Sequence, residues 1–334
     1  MKLFIADSCA NHTKIEIVSG IVGSFQNPIR GKLFEESGTI ESADAVLVPQ
    51  DAYYFSKYPD YLNYLNDLSK KKMIIFSDRG DFPKKPKLKN SIALRVALNP
   101  SEKLSGKIII PYNVEDLSVL PFRQYSKTPD ISFVGYMPRN SLGRFMKSGQ
   151  QSPLHILQGN SAIVRSLAHR KVQKTKLQYR YSLRDSYGAL NVRPEALSRI
   201  EYLESISASD FVLSPRGDAN QSARYYEILS AGRIPLMPET QIRFPKIMES
   251  INSPNITFPL FSSARNVRQR ILSRWESISN DEHYFSLQRD IRDFFSHNLE
   301  FNRYVESLFS LDTKGFLHMS EDKQLSSEVD EKDF

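Results

Sequence analysis

The chain has 334 residues, 40% hydrophobic and 25% charged, with a formal net charge of +7; these are ordinary values for a soluble globular protein long enough for two domains. No apolar run approaches the roughly 20 residues that span a bilayer, the opening MKLFIADSCANHTK turns polar too soon for a signal peptide, and the single cysteine, Cys9, excludes an intramolecular disulfide and a multi-cysteine metal site, which together place the protein on the cytoplasmic side. Residues 320–334 hold six acids and two lysines, so the first 319 carry about +11, a balance that suits an acidic ligand, an anionic membrane surface or nucleic acid without choosing among them.

In chain order, Lys2–Ala6 reads as a first strand followed by a polar loop, and residues 14–40 are weakly patterned. Ala45–Val48 is a buried strand closed by Pro49, and a helix is predicted within Ala52–Leu68. Met73–Phe76 is the next buried strand, with Ser77–Asp81 as its exit loop. The most basic run, Lys84–Lys89 (KKPKLK), reads as a solvated loop or as a contact for acidic lipid or polymer. Ile92–Leu98 and Lys107–Ile110 are further strands, and Val114–Thr128 bridges to the second half. That half restarts with the strand Ile131–Val134 and the loop Gly135–Asn140. Helices are predicted over Ser161–His169 and Pro194–Ser207, a strand over Gln178–Leu183 and another over Thr257–Leu260. Long amphipathic patterns fill Val267–Ser279 and Tyr284–Phe309, and from Lys314 the chain is polar. Alternating short strands and helices indicate an α/β protein of two doubly wound Rossmann-like domains. We divide it into residues 1–125, residues 126–313 with C-terminal helices that pack back on the first domain, and a frayed tail over 314–334.

The most informative stretch is Phe211–Met237, which reads strand, loop, helix, strand. Gln221–Ala231 has helical spacing and Gly232 ends it in the left-handed C′ position. Asn220 or Asp218 is placed to cap the helix. Arg216 lies just before this helix start and Arg224 just inside it, where cations oppose the macrodipole at roughly 0.3–1 kcal/mol each. Two such arginines and the free N–H groups of the helix end make an anion site, and phosphate is its usual occupant. Glu227, at i+3 from Arg224, is placed to accept from sugar hydroxyls. The bland alternative is a surface pair Arg224–Glu227 with Arg216 bonded to Asp218.

The run SPRGDANQSARYYEILSAGRIPLM resembles the exostosin family of glycosyltransferases, in which a strand and Pro-Arg-Gly lead to a Ser-x-Arg-x-x-Glu helix, Gly-x-Ile-Pro and a further strand. Ala43–Pro49, Ile75–Asp81, Ile108–Pro111 and Ile131–Gly135 resemble weaker landmarks of that family, in the same order, so the likeness covers about residues 40–260. The chain lacks the membrane anchor and paired cysteines of animal and plant members, as a compact bacterial or viral form would. The resemblance implies a GT-B arrangement, two α/β domains facing a cleft. It also implies an inverting transfer of a sugar from a nucleotide-sugar, UDP-linked by family habit, to a glycan or glycolipid acceptor. Whether the sugar is a hexose, a pentose or glucuronate stays open. Donor-binding residues implied in this way are Arg216, Gly217, Ser222, Arg224, Glu227, Gly135 and Arg139, with Arg165 following on a helix. The general base should leave an N-terminal strand end toward the cleft. Asp7, His12, Asp51, Asp78 and Asp81 all follow strands; Asp78 ranks first, then Asp7 and Asp51. No cofactor and no metal are expected, since no Asp-x-Asp is present and the six histidines are scattered. The expected partners are the donor, the acceptor and a peripheral anionic membrane surface at its inner face, not nucleic acid. Two other readings compete. A sugar-nucleotide epimerase would show a Gly-rich turn or His–Glu set that is not found. A non-catalytic basic protein binding glycan or nucleic acid needs no such Arg–Glu helix.

Overall fold

The computed structural model describes residues 1–6, 34–52, 58–78, 88–98, 102, 105–137, 161–184, 195–217, 220–250 and 254–320. The first sheet contains β1 (Lys2–Ile5), β2 (Glu35–Glu36), β3 (Ala45–Asp51), β4 (Met73–Ser77), β5 (Ser91–Arg95) and β6 (Lys107–Ile109) in the order β2-β1-β3-β4-β5-β6. The second contains β7 (Asp130–Tyr136), β8 (Gln178–Arg184), β9 (Phe211–Leu213), β10 (Ile234–Pro238) and β11 (Ile256–Phe258) in the order β11-β10-β9-β7-β8. Every pairing is parallel. Counted from its own first strand, each sheet runs 2-1-3-4-5, with one strand more in the first. This is a doubly wound order, whose ligand crevice lies where the chain leaves two adjacent strands in opposite directions. That point falls between β1 and β3 in the first sheet and between β7 and β9 in the second.

The strands read as near-continuous apolar runs because both faces of each sheet are covered. In the second sheet Ile131, Phe133, Phe211 and Leu213 face one core, and Val134 and Val212 the other. The first core includes residues of α2 (Ser161–Gln173), α4 (Ala223–Ser230), α5 (Ala264–Glu276) and α6 (Asp281–Asn298); the second includes α3 (Glu195–Ser207). In the first sheet Val46, Ile74 and Phe76 pack with α1 (Pro59–Ser69). Leu47, Ile75, Leu94 and Ile108 pack instead with α7 (Phe301–Ser310) and α8 (Thr313–Met319).

Several boundaries differ from expectation. Pro49 does not close β3, which continues to Asp51 through a register shift between Leu47 and Asp51; a proline is tolerated where the ladder is interrupted and its missing N–H is not required. The long pattern Tyr284–Phe309 breaks at Leu299–Glu300, where the Glu300 carboxylate accepts from the N–H groups of Asn302 and Arg303 and starts α7. Leu299 lies in a core of the second sheet and Phe301 in a core of the first sheet, so the chain crosses between them in two residues. The polar stretch after Lys314 opens as a helix, capped by Asp312 and anchored by Phe316, which is fully buried against Phe309; one aromatic in seven residues was too weak a pattern to signal it. The strand expected at Thr257–Leu260 is β11, which starts one residue earlier and ends two residues earlier.

The connector between the sheets is tied to the second lobe. Arg233 donates to the Pro121 carbonyl, Arg292 to those of Ser118 and Leu120, and Gln288 exchanges hydrogen bonds with the Arg123 backbone. Burial pushes the Arg233 pKa down to about 10, so its guanidinium is still charged at neutral pH. Among the described residues no helix is long and apolar enough to cross a membrane.

Candidate functional site

The carboxyl ends of β7 and β9 converge at the crevice of the second sheet. β7 ends in Gly135 and Tyr136; β9 ends at Leu213 and passes into Ser214, Pro215, Arg216 and Gly217. The helix that follows begins at Ala223, two residues later than the spacing predicts. Ser222 is its N-cap in extended conformation, with no side-chain capping bond. Asn220 does not cap it. Its amide donates to the Gln241 carbonyl across the loop after β10, and Gln241 holds a left-handed φ of 53°. Asp218, the other capping candidate, lies outside the described residues. The helix closes as expected. Gly232 has φ 70°, its N–H reaches the Leu229 carbonyl, and the Arg233 N–H reaches that of Ile228, the paired bonds of a Schellman end.

Three arginines lie on the elements around this crevice. Arg216 is 2% exposed, and its carbonyl accepts from Arg165 Nε on α2 at 3.1 Å. Arg224 donates to the Val134 carbonyl at 2.6 Å. Its guanidinium lies over the Phe133 ring at 4.8 Å and the Tyr202 ring at 5.5 Å. A Cβ on Gly135 would come within 2.7 Å of Arg224 Nη2, so glycine is what lets the guanidinium rest on the strand end. Arg224 thereby spans the gap between α4 and β7.

Glu227 turns to α3 rather than to Arg224. Arg199 donates to its Oε1 and the Tyr202 hydroxyl to its Oε2, both at 2.7 Å. The bland surface pair is therefore replaced by a partly buried carboxylate held at both oxygens. Burial, then the Glu227 charge, pushes the Tyr202 pKa well above the usual tyrosine range and keeps the hydroxyl a donor. Burial opposes the charge of Arg199, but Glu227 and Glu115 outweigh it and raise its pKa.

Around the same strand ends, Ser214 Oγ, Asn220 Oδ1, Gln221 Oε1, Thr240 Oγ1 and Arg224 Nε are buried with no hydrogen-bond partner. An orphaned buried polar atom costs about 1–3 kcal/mol. The four oxygens follow the ends of β9 and β10, and Arg224 Nε belongs to the guanidinium at the end of β7.

At the first sheet, Asp78 follows β4, one strand away from the crevice between β1 and β3. It is 3% exposed and ion-paired with Arg95, whose fully buried guanidinium also donates to Glu102. Asp51 is the last residue of β3 and so stands at the crevice; its side chain lies outside the described residues. Asp7, two positions beyond the end of β1, lies outside them too, as do His12, Asp81, Arg139 and most of the basic run at 84–89. Among the described residues no three His, Cys, Asp or Glu side chains gather closely enough to hold a metal ion.

Arg199 and Tyr202 were not singled out from the sequence. They sit on an ordinary amphipathic helix about 25 residues before Glu227, and nothing in their spacing links them to it. Arg165 was found only through the family resemblance, as the arginine that follows Gly135 on a helix.

No family model matches the sequence, and no curated protein matches it. Among solved structures, the chain is similar to TarM at 11% identity over 78% of this chain and 57% of that one, with a TM-score of 0.39. It is similar to the catalytic domain of starch synthase IV from Arabidopsis thaliana, bound to ADP and acarbose, at 12% identity over 83% and 73%, with a TM-score of 0.41. It is also similar to WaaG, a glycosyltransferase involved in lipopolysaccharide biosynthesis, at 8% identity over 93% and 100%, with a TM-score of 0.35. The chain thus spans 57% of the length of TarM. The two doubly wound domains stand on strand order and pairing.

Proposed function

We propose that the protein is an inverting glycosyltransferase that moves a sugar from a UDP-sugar to a glycan or glycolipid acceptor. The observation that carries this reading is the crevice between β7 and β9, where Arg224 rests on the end of β7 and Arg165 binds the Arg216 backbone in the loop that leads to the uncapped start of α4. A leaving diphosphate needs positive charge and N–H donors placed before the bond breaks. This site offers both from the protein itself, so the reading requires no metal. Gly217, Ser222 and Gly135 supply close backbone approach, and Arg139 belongs to the loop after β7. Glu227, held at both oxygens, keeps spare lone pairs for the ribose hydroxyls. The orphaned oxygens of Ser214, Asn220, Gln221 and Thr240 suit a ligand rich in hydroxyl donors. A nucleic-acid binder needs none of these.

The attacking hydroxyl needs a carboxylate at the facing crevice. Asp51 and Asp7 have that position along the chain, and Asp78 does not. A carboxylate enclosed beside a buried arginine is poorly reached by an acceptor. We therefore place Asp51 and Asp7 ahead of Asp78.

The test is a panel of nucleotide-sugars, scored by thermal shift and by transfer. A bound ligand raises the melting temperature through RT ln(1 + [L]/Kd). One UDP-sugar should stabilise the protein, and Arg224→Ala should weaken UDP binding by about a hundredfold, as loss of a charge-assisted anchor does. Unchanged UDP affinity in that variant would sink the reading. Asp51→Asn or Asp7→Asn should keep UDP binding and lose transfer, while Asp78→Asn should lose stability first.

A further inference from the structure

The two ligand-facing side chains of α4 are both set by α3. The Tyr202 ring lies within reach of two guanidinium groups, Arg199 at 5.2 Å and Arg224 at 5.5 Å from its centroid. Its hydroxyl donates to Glu227 Oε2 while Arg199 donates to Oε1. One side chain therefore touches both the cation assigned to the diphosphate and the carboxylate assigned to the ribose, through different parts of itself. The ring face attracts the Arg224 guanidinium; the hydroxyl fixes a carboxylate oxygen. Arg199 continues outward to Glu115, at 2.8 Å, in the connector between the sheets. This arrangement exceeds what burying one glutamate requires, since a single charged partner would neutralise it. Two donors from different directions remove the rotational freedom of the carboxylate, as preorganisation of a binding group demands.

We propose that Tyr202 and Arg199 are positioning residues of the donor site: the Tyr202 ring seats Arg224 for the diphosphate, while the Tyr202 hydroxyl and Arg199 orient Glu227 toward the ribose hydroxyls. This rests on the nucleotide-sugar reading above and goes beyond it by separating two functions within one side chain. Tyr202→Phe removes the hydroxyl and keeps the ring. Tyr202→Leu removes both. Arg199→Ala frees the other oxygen, and Arg199→Lys restores one donor.

The experiment measures affinity for UDP, 2′-deoxy-UDP and pyrophosphate by calorimetry on the full chain, alongside the melting temperature of each variant. The wild type should prefer UDP over its 2′-deoxy form by about tenfold or more, because a site built to bind a hydroxyl rejects the analogue lacking it. Tyr202→Phe and Arg199→Ala should erase most of that preference and leave pyrophosphate binding unchanged. Tyr202→Leu should in addition weaken pyrophosphate about tenfold, and Arg199→Lys should recover part of the preference. A wild-type preference retained in both Tyr202→Phe and Arg199→Ala overturns the proposal. So does an equal loss for all three ligands, which marks α3 as support only. A wild type that binds none of the three overturns the nucleotide-sugar reading itself. One that binds UDP and its 2′-deoxy form equally overturns only the assignment of Glu227 and its positioning residues.

Discussion

Two glycines carry opposite burdens in this structure. At Gly135 an added Cβ meets the far end of a flexible side chain, Arg224 Nη2 at 2.7 Å. The guanidinium can swing aside, so Gly135→Ala should cost little beyond the lost Val134 bond, about 1–2 kcal/mol. The displaced cation loses the Val134 carbonyl and its place at the crevice, and UDP affinity should fall about tenfold. At Gly232 the added Cβ meets the backbone oxygen of Gln288 at 2.7 Å, on a residue whose φ is 70°. Backbone cannot swing aside, and a left-handed alanine alone costs roughly 1–2 kcal/mol. Gly232→Ala should therefore lose at least about 2 kcal/mol in denaturant titration while the folded fraction keeps its UDP affinity. If Gly135→Ala retained UDP affinity, the placement of Arg224 at the ligand would be wrong.

Helices and strands here divide into those whose partners are local and those whose partners are distant, and only the first kind was legible in the sequence. The unit β9–α4–β10 could be read almost residue by residue, because its apolar runs, helical spacing and terminal Gly232 are contiguous. The start of α4 was misplaced by two residues because Asn220 bonds to Gln241, twenty-one positions on, instead of capping its own helix. Glu227 was found but not its partners, since Arg199 and Tyr202 reach it across helices. Asp78 looked like a free exit-loop acid because Arg95, the residue that encloses it, ends a different strand. The α2–β8 contact is a distant pairing of the same kind, with a consequence for pH. His169 of α2 bonds through Nδ1 to the Tyr179 hydroxyl of β8 and is 5% exposed. Burial, then the Arg170 charge, lowers its pKa below the usual histidine value of 6.5. The unfolded chain then binds a proton near pH 6.5 that the folded chain refuses, so this contribution to stability is present above pH 6.5 and is lost as pH falls below it. Replacing His169 by Phe should flatten the acid side of the stability profile below about pH 6.5 relative to wild type, as read by melting temperature; an identical slope in both proteins would remove His169 from the account.

At the scale of the whole molecule, the first sheet is completed by the last helices. Phe301, Tyr304, Val305, Leu308, Phe309 and Phe316 all enter the core beneath β1, β3, β4, β5 and β6. The Tyr304 hydroxyl reaches the Ile109 carbonyl, and the N-terminal ammonium of Met1 reaches the Phe309 carbonyl at 2.7 Å. Opening and closing segments of the chain thus meet in one lobe, while the second lobe is folded from the residues between them. The consequence is an asymmetry of dependence. Each large buried apolar side chain contributes roughly 1.5–3 kcal/mol, so six of them, about 9–18 kcal/mol, match or exceed the roughly 5–15 kcal/mol that stabilises an entire domain. A chain ending at Glu300 should keep the second lobe, whose core stops at Leu299, and lose the first. Hydrogen exchange would separate the two: amides of β7, β9 and β10 should stay protected, and those of β3, β4 and β5 should exchange freely. UDP binding should survive in the shortened chain, because Arg216, Arg224, Glu227, Arg199 and Tyr202 all precede the cut. Transfer should vanish, because the crevice between β1 and β3 would no longer exist. Persistent protection across β3–β5 would show that the first sheet stands without its C-terminal cover, and the two lobes would then be independent folding units.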